Sequence, residues 1–201
     1  MNHPLIRKLE SVCAQAEAEF ARGVRVHGER IHCAPGCSSC CSQIFQITEV
    51  EAARISAHVQ SLPEPERKAL QAKARLNLEQ RAKLFPEGER WGSTVPRGRG
   101  TPCPALTDAG ACGMYAARPI MCRKFGVPIF NPDKPDSVMA CELNFAEGEA
   151  IEDDGLIENQ TRLYRAQQAL QAAYNDAEGR RDDKPICIAR AIVDDFTFYL
   201  P

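Results

Sequence analysis

Apolar residues recur every three or four positions at the start of the chain, which is the spacing that one buried face of an α-helix requires. This spacing predicts an amphipathic helix over residues 4–22. Its apolar face consists of Leu5, Leu9, Val12, Cys13, Ala16 and Phe20. A buried thiol behaves as a small hydrophobic side chain, so we predict that Cys13 is a core residue and not a ligand.

Two further helices are predicted in the first half of the chain. Thr48 and Glu51 have the spacing of a capping box, which predicts a helix over residues 49–60. Pro63 interrupts the pattern, and a second helix with a charged, solvated face is predicted over residues 64–84. Two later segments are rich in glycine and proline and are predicted to be irregular: residues 86–104 and 126–140.

The C-terminal part of the chain predicts one long helix and one short helix. The buried face of the long helix consists of Leu156, Gln160, Leu163, Gln167, Leu170 and Tyr174. Gly179 is predicted to close this helix as its C-cap. Pro185 can begin the short helix, because proline fits the first helical turn. The predicted core face of the short helix consists of Ala189, Ile192, Val193, Phe196 and Leu200.

These elements predict a mainly α fold in which helices flank an irregular, cysteine-rich, metal-ligated centre. The length of 201 residues suits a single domain over residues 1–201. Within it, the cysteine-rich centre is expected to span about residues 30–145, and the C-terminal helices about residues 150–200.

Composition and charge narrow the class of protein. Hydrophobic residues make up 44% of the chain and charged residues 26%, which is ordinary for a soluble globular protein. The net charge of -2 gives no electrostatic reason to expect nucleic acid or an anionic membrane as a partner. The sequence has no apolar run that could span a membrane, and its start lacks the apolar core of a secretory signal. We therefore expect a cytoplasmic protein that binds neither nucleic acid nor membrane.

Cysteine is the residue type that points to chemistry. The chain has ten cysteines, and eight of them are clustered: Cys33, Cys37, Cys40, Cys41, Cys103, Cys112, Cys122 and Cys141. Cytoplasmic thiols stay reduced unless a metal or a redox cycle engages them, so the clustering indicates metal or redox chemistry in preference to disulfides. Glycine and proline beside these cysteines indicate tight turns. Such turns let several thiolates converge on a tetrahedral zinc ion or on a larger iron–sulfur cluster.

Cys40 and Cys41 are neighbours in the stretch CAPGCSSCC, and this pair leaves two arrangements open. Adjacent side chains alternate across extended backbone, so both thiols can reach one centre only from a tight turn. Alternatively, Cys40 serves one centre and Cys41 serves another. The eight thiols then divide into two four-sulfur sites, or into one cluster and one zinc site.

Three basic residues lie close to Cys122 in the sequence: Arg118, Arg123 and Lys124. Each is expected either to donate to the sulfurs or offset the negative charge of a tetrathiolate site, or to form an ordinary surface salt bridge. His32 precedes Cys33 and is the one histidine considered as a ligand, although eight thiols already suffice. Cys187, like Cys13, is left out of the site.

The two cysteine-rich blocks carry a resemblance to a known family. CAPGCSSCC is followed by CPAL (103–106), GAC (110–112), YAARP (115–119), CRKF (122–125) and then Cys141. In this order the blocks resemble the YkgJ-type cysteine-cluster family, a zinc- or iron-chelating domain named for a CxxCxxCC motif. The resemblance covers roughly residues 30–145. One departure is the first gap, which has three residues where the motif has two.

The resemblance implies that the eight clustered cysteines are the metal ligands, and it leaves the metal open between zinc and iron. The leading hypothesis is a cytoplasmic metal-binding protein that holds Zn²⁺, as one ion or two, or alternatively iron or an iron–sulfur cluster. Its expected partners are metal ions and a protein. The alternative is an iron–sulfur enzyme, because the resembling family includes flagellin lysine N-methylases, or a redox or electron-transfer protein. The sequence has no Gly-x-Gly-x-x-Gly motif after a strand that would hold a methyl donor.

Overall fold

The computed structural model describes residues 3–88, 101–146 and 148–201. This part of the chain is mostly helical, as predicted. Its α-helices are α1 (Pro4–His27), α2 (Glu49–Ser61), α3 (Glu64–Leu84), α4 (Ile120–Lys124), α5 (Leu156–Asp176) and α6 (Ile188–Val193). Two short strands, β1 (Ile129–Phe130) and β2 (Val138–Met139), form an antiparallel pair.

Helix α1 continues to His27, beyond the predicted end at residue 22. The His3 imidazole caps its start, because Nδ1 accepts a hydrogen bond from the backbone N–H of Leu5 at 3.2 Å. The predicted apolar face is buried, and Cys13 on that face is only 3% exposed. Phe20 is the exception: it is partly buried and lines a cavity instead.

The predicted capping box of α2 is present. The backbone N–H of Thr48 donates to the Glu51 carboxylate at 2.9 Å, and the backbone N–H of Glu51 donates to the Thr48 hydroxyl at 3.4 Å. The same carboxylate also accepts a hydrogen bond from the backbone N–H of Ile120 at 2.8 Å. Glu51 therefore fixes the start of α4 as well as the start of its own helix.

The end of α5 differs from the prediction. The predicted face is buried apart from Gln167, which is partly buried. Ala177 is the C-cap, and the left-handed φ of +54° belongs to Glu178, so the prediction of a Gly179 cap was wrong. Glycine is required at position 179 for a different reason: a Cβ there would lie 2.3 Å from the ring of Tyr174.

The predicted last helix is divided into two short ones. Cys187 forms an isolated antiparallel β-bridge with Gln46, so the backbone is extended there and α6 begins only at Ile188. A 3₁₀ helix, Phe196–Tyr199, follows α6. Of the predicted core face, the buried members are Ala189, Ile192 and Phe196.

The two segments predicted to be irregular have different outcomes. Residues 126–140 are irregular except for the β1–β2 pair, in which Ile129 pairs with Met139 and Phe130 with Val138. The pair forms because β1 buries both of its side chains, and it packs against α5. Of segment 86–104, residues 89–100 lie outside the described residues.

Two hydrophobic clusters hold the helices together. One joins α1 and α5 with Val50 of α2 and Ile120 of α4. The other joins α2, α3 and α6 with apolar residues of the cysteine-rich loops, including Ala105 and Met114. Across the described ranges, no helix combines the length and the apolar character that a bilayer span requires.

Candidate metal centre

A cavity of about 850 Å³ lies between α1, α4 and the cysteine-rich loops. All eight cysteines that the sequence assigns to a metal site line it: Cys33, Cys37, Cys40, Cys41, Cys103, Cys112, Cys122 and Cys141. Cys13 and Cys187 are buried in the two hydrophobic clusters and do not line the cavity. The fold therefore brings the eight predicted donors around one space and keeps the other two cysteines apart from it.

Cys33 and Cys37 flank a tight turn that follows α1. The backbone N–H of Cys37 donates to the carbonyl of Ala34 at 2.9 Å, and Gly36 has a φ of +93°, which favours glycine. This turn accommodates the additional residue in the first gap of the motif. Both residues are exposed, although the Cys33 sulfur itself packs against Gly126 and Asn144. His32 is also exposed but does not line the cavity, so it is not placed among the donors.

The adjacent pair Cys40 and Cys41 lies in a 3₁₀ helix, Ser39–Ser42. This helix is the tight turn that brings neighbouring side chains to the same cavity. A hydrogen bond joins the two sulfur groups; it raises the pKa of the Cys40 thiol and lowers the pKa of the Cys41 thiol. Cys41 is thus the thiol that most readily becomes a thiolate in this pair.

Cys103 and Cys112 lie on one folded loop. Leu106 and Cys112 form an antiparallel β-bridge, and the backbone N–H of Leu106 donates to the carbonyl of Cys103 at 3.0 Å. The backbone N–H of Cys103 donates to the carbonyl of Cys41 at 2.7 Å. This hydrogen bond attaches the loop directly to the 3₁₀ helix, so the sulfur positions of the two segments are fixed relative to each other.

The last two donors come from α4 and from the chain after β2. Cys122 lies within α4, whose start is held by the Glu51 carboxylate. Cys141 is buried, and its carbonyl accepts a hydrogen bond from the backbone N–H of Asn144 at 2.9 Å. A turn beginning at Cys141 therefore positions Asn144 beside the cavity.

Asn144 is a site residue that sequence reasoning missed. Its Oδ1 accepts a hydrogen bond from the backbone N–H of His32 at 3.0 Å. Its Nδ2 donates to the carbonyl of Gly126 at 2.6 Å and to the sulfur of Cys33 at 3.5 Å. The asparagine is 7% exposed, so these contacts form a buried link between the Cys33 turn and the Cys141 turn.

Gly126 is required by the close approach of Cys33. Its φ is +121°, in the region that favours glycine. A Cβ added at this position would lie 2.6 Å from the Cys33 sulfur. Any larger residue would therefore displace this thiol from the cavity wall.

Burial keeps protons on most of these thiols, because a thiolate is poorly solvated in the protein interior. It raises the pKa of Cys103 to about 11. The same cause raises the pKa of Cys33, Cys112 and Cys122. Neighbouring thiols add to the effect, because two thiolates repel each other. A bound cation would reverse this balance, so metal binding at these thiols must release protons.

Two of the three predicted basic residues line the cavity. Arg123 donates to the carbonyls of Arg118 at 2.9 Å and Ala116 at 2.7 Å, and it forms an ion pair with Glu17. Burial raises the pKa of Cys112, and the guanidinium groups of Arg118 and Arg123 oppose that rise. Arg118 and Arg123 therefore have the charge-offsetting position that the sequence suggested.

Lys124 has neither of the roles predicted for it. Its side chain is buried, so it forms no surface salt bridge, and it does not line the cavity. Burial lowers its pKa to about 8, and the carboxylates of Glu51 and Glu19 oppose that change. The prediction failed because the fold buries this side chain outside the cavity lining.

The donor chemistry of the cavity fits zinc or iron, since thiolates are ligands that both metals accept. As the side chains stand, no three cysteine, histidine, aspartate or glutamate residues in the described ranges are arranged to hold one ion. The eight thiols nevertheless line one shared space. The fit therefore rests on the donor set and its common cavity.

A comparison with known proteins identifies the family of the cysteine-rich region. The model of a family described as "CxxCxxCC: Putative zinc- or iron-chelating domain" matches residues 32–142, which is more than half of the chain. The comparison with curated proteins and the comparison with solved structures each find no match. The matched segment contains all eight cavity cysteines, and the chain therefore belongs to the CxxCxxCC family of zinc- or iron-chelating domains.

Proposed function

We propose that this protein holds zinc, in preference to iron, through the eight cysteines of the cavity. The observation that carries the proposal is that all eight line one cavity, although they come from four separate segments of the chain. All ten cysteines are free thiols, which suits a reducing cytoplasm. Thiolates from short turns are the ligands that structural zinc sites use most.

The residues of the cavity have distinct tasks in this proposal. The eight thiols would hold the metal and would release their protons to solvent as it binds. Arg118 and Arg123 would offset the negative charge of the thiolates, and Asn144 would orient Cys33. A site closed by four thiolates has no open position for water, so the proposed role is structural or metal-handling and not hydrolytic.

An iron–sulfur cluster is the second candidate, because cysteine thiolates on short loops also hold such clusters. A cluster would suit electron transfer or an enzyme such as a protein-lysine methyltransferase. Its visible absorption distinguishes it from zinc, which has none.

Metal content of cysteine variants tests the proposal. Cys40→Ser and Cys41→Ser should each lower the metal bound per chain and the melting temperature, because a serine hydroxyl is a poor replacement for a thiolate ligand. Cys13→Ala is the matched control, since this thiol is buried outside the cavity. Unchanged metal content in both serine variants would contradict the proposal, and so would a loss of metal in Cys13→Ala equal to theirs.

A further inference from the structure

We propose that Asn77 of helix α3 positions Cys103 for metal binding, and that the bound metal in return holds the second half of α3 in place. This inference rests on the proposed function and extends it, because it gives one donor a positioning residue and identifies the helix that responds to the metal. Asn77 does not itself line the large cavity, so it acts on Cys103 through the backbone that precedes this residue.

The buried face of α3 is polar. Its buried residues are Ala74, Asn77 and Arg81, and their spacing of four and then three and four places them on one face of the helix. A helix on the surface of a globular protein normally buries large apolar side chains on such a face. Leu70 and Leu78 only partly fill this role, because they are partly buried against the cluster that α3 shares with α2 and α6. The buried amide and guanidinium therefore require an explanation other than apolar packing.

Asn77 holds the chain immediately before Cys103. Its Nδ2 donates to the hydroxyl of Thr101 at 2.8 Å and to the carbonyl of Pro102 at 2.8 Å. An amide nitrogen has two hydrogens, so both of them are used on two consecutive residues of the loop. The asparagine is 5% exposed, and hydrogen bonds in a protein interior are electrostatically stronger than in water. Asn77 thus fixes the backbone one and two positions before the donor.

Cys103 is consequently held from two sides. Its own backbone N–H donates to the carbonyl of Cys41 at 2.7 Å, while α3 holds the residue before it. Cys103 also lines a second, small cavity of about 20 Å³ together with Asn77 and Arg81, so this residue lies between the polar face of α3 and the large cavity. A shift of α3 would therefore move Cys103 relative to Cys41.

The same link predicts an effect of the metal on α3. A metal ion held by Cys103 would restrict the loop to the position in which Asn77 forms its two hydrogen bonds. Coupling is reciprocal, so a contact that strengthens metal binding must itself be strengthened by the metal. Local opening of the second half of α3 separates Asn77 from the loop, and zinc should therefore make this opening rarer. The first half of α3 is attached elsewhere, because Gln71 Nε2 donates to the carbonyl of Ile192 in α6 at 3.5 Å.

The zinc affinity of variants of the full chain tests the positioning role. Asn77→Ala should weaken zinc binding by about tenfold or more, since loss of a residue that orients a ligand typically has an effect of this size. Competition with the chromogenic chelator 4-(2-pyridylazo)resorcinol measures the affinity. Gln71→Ala is the matched control, because it removes a side-chain amide of the same helix that bonds to α6 and not to the cysteine loop. It should lower the free energy of unfolding and leave the zinc affinity unchanged.

Hydrogen–deuterium exchange with and without zinc tests the reciprocal effect on the same proteins. In the wild type, zinc should slow exchange both at residues 101–103 and in the second half of α3, residues 78–84. In Asn77→Ala, zinc should still slow exchange at residues 101–103 but no longer in α3. The first half of α3 is the internal reference, and its exchange should not respond to zinc.

The outcomes separate this inference from the proposed function. A wild-type chain that binds no zinc contradicts the proposed function itself. If the wild type binds zinc and Asn77→Ala binds it equally well, or Gln71→Ala loses as much affinity, the positioning role is overturned. Exchange in α3 that does not respond to zinc in the wild type overturns the reciprocal effect. If circular dichroism shows that Asn77→Ala is unfolded, Thr101→Val decides, because it removes one acceptor of Asn77 at nearly constant size: a lower zinc affinity supports the inference and an unchanged affinity refutes it.

Discussion

Replacement of Asn144 by alanine would remove the buried link between the turns that carry Cys33 and Cys141. The side chain accepts one hydrogen bond, from the backbone N–H of His32 at 3.0 Å. It donates two, to the carbonyl of Gly126 at 2.6 Å and to the Cys33 sulfur at 3.5 Å. Alanine can form none of these contacts, so the two turns would be held by backbone contacts alone.

The expected loss of stability follows from the buried groups that lose a hydrogen-bond partner. The asparagine is 7% exposed, so the carbonyl of Gly126 would remain buried without a hydrogen bond, at a cost of about 1–3 kcal/mol. The N–H of His32 lies nearer to solvent and would add a smaller amount. We expect the free energy of unfolding to fall by about 2–4 kcal/mol in total. Zinc binding should also weaken, because the Cys33 sulfur would lose its orienting amide.

Urea unfolding followed by circular dichroism measures the first effect, and chelator competition measures the second. Asn175→Ala is the matched control, because this side chain is exposed and accepts a hydrogen bond from the Gln171 amide on the surface of the same helix at 3.1 Å. The control should change the free energy of unfolding by less than about 0.5 kcal/mol. If Asn144→Ala and Asn175→Ala have the same stability and the same zinc content, the assigned role of Asn144 is wrong.

Three further predictions concern protons and backbone. Zinc affinity should rise between about pH 6 and about pH 8, because the thiols must release protons when they bind the metal. Chelator competition at each pH measures this affinity, and an affinity that does not change with pH would contradict the prediction. Without zinc, the free energy of unfolding should decrease as the pH rises above 9.0. The unfolded chain loses the Cys103 proton near pH 9.0, whereas the folded chain keeps it to about pH 11. Urea unfolding midpoints at pH 9.0 and at about pH 11 check the sign of this change. Gly126→Ala should destabilise the chain more than Gly88→Ala, because both have a positive φ but only Gly126 lies against the Cys33 sulfur; equal melting temperatures would refute the contact.

Local signals predicted the four longer helices, and the eight cysteines that they singled out line one cavity. Apolar spacing was sufficient for α1, α2, α3 and α5, because each is long enough for several turns of one buried face. The capping box of Thr48 and Glu51 fixed the start of α2 without reference to the rest of the chain. The turn residues beside the cysteines indicated that the thiols could converge, and they line one cavity.

Features that depend on distant contacts could not be predicted in this way. Asn144 contacts His32, which is 112 positions away in the sequence, and no local pattern marks it. Helix α4 has only five residues and exists because Glu51 of α2 holds its first turn. The inward direction of Lys124 follows from that same placement, which explains why its predicted role was wrong.

Metal analysis of the full chain, purified without oxygen, tests the central claim most directly. Mass spectrometry would give the zinc and iron bound per chain, and a visible spectrum would show whether a cluster is present. We predict two zinc ions per chain and no visible absorption. A folded chain that holds neither metal, and that takes up no zinc when zinc is added, would contradict the assignment of the cavity thiols as ligands. Iron with acid-labile sulfide and a brown colour would instead replace zinc by a cluster held by the same thiols.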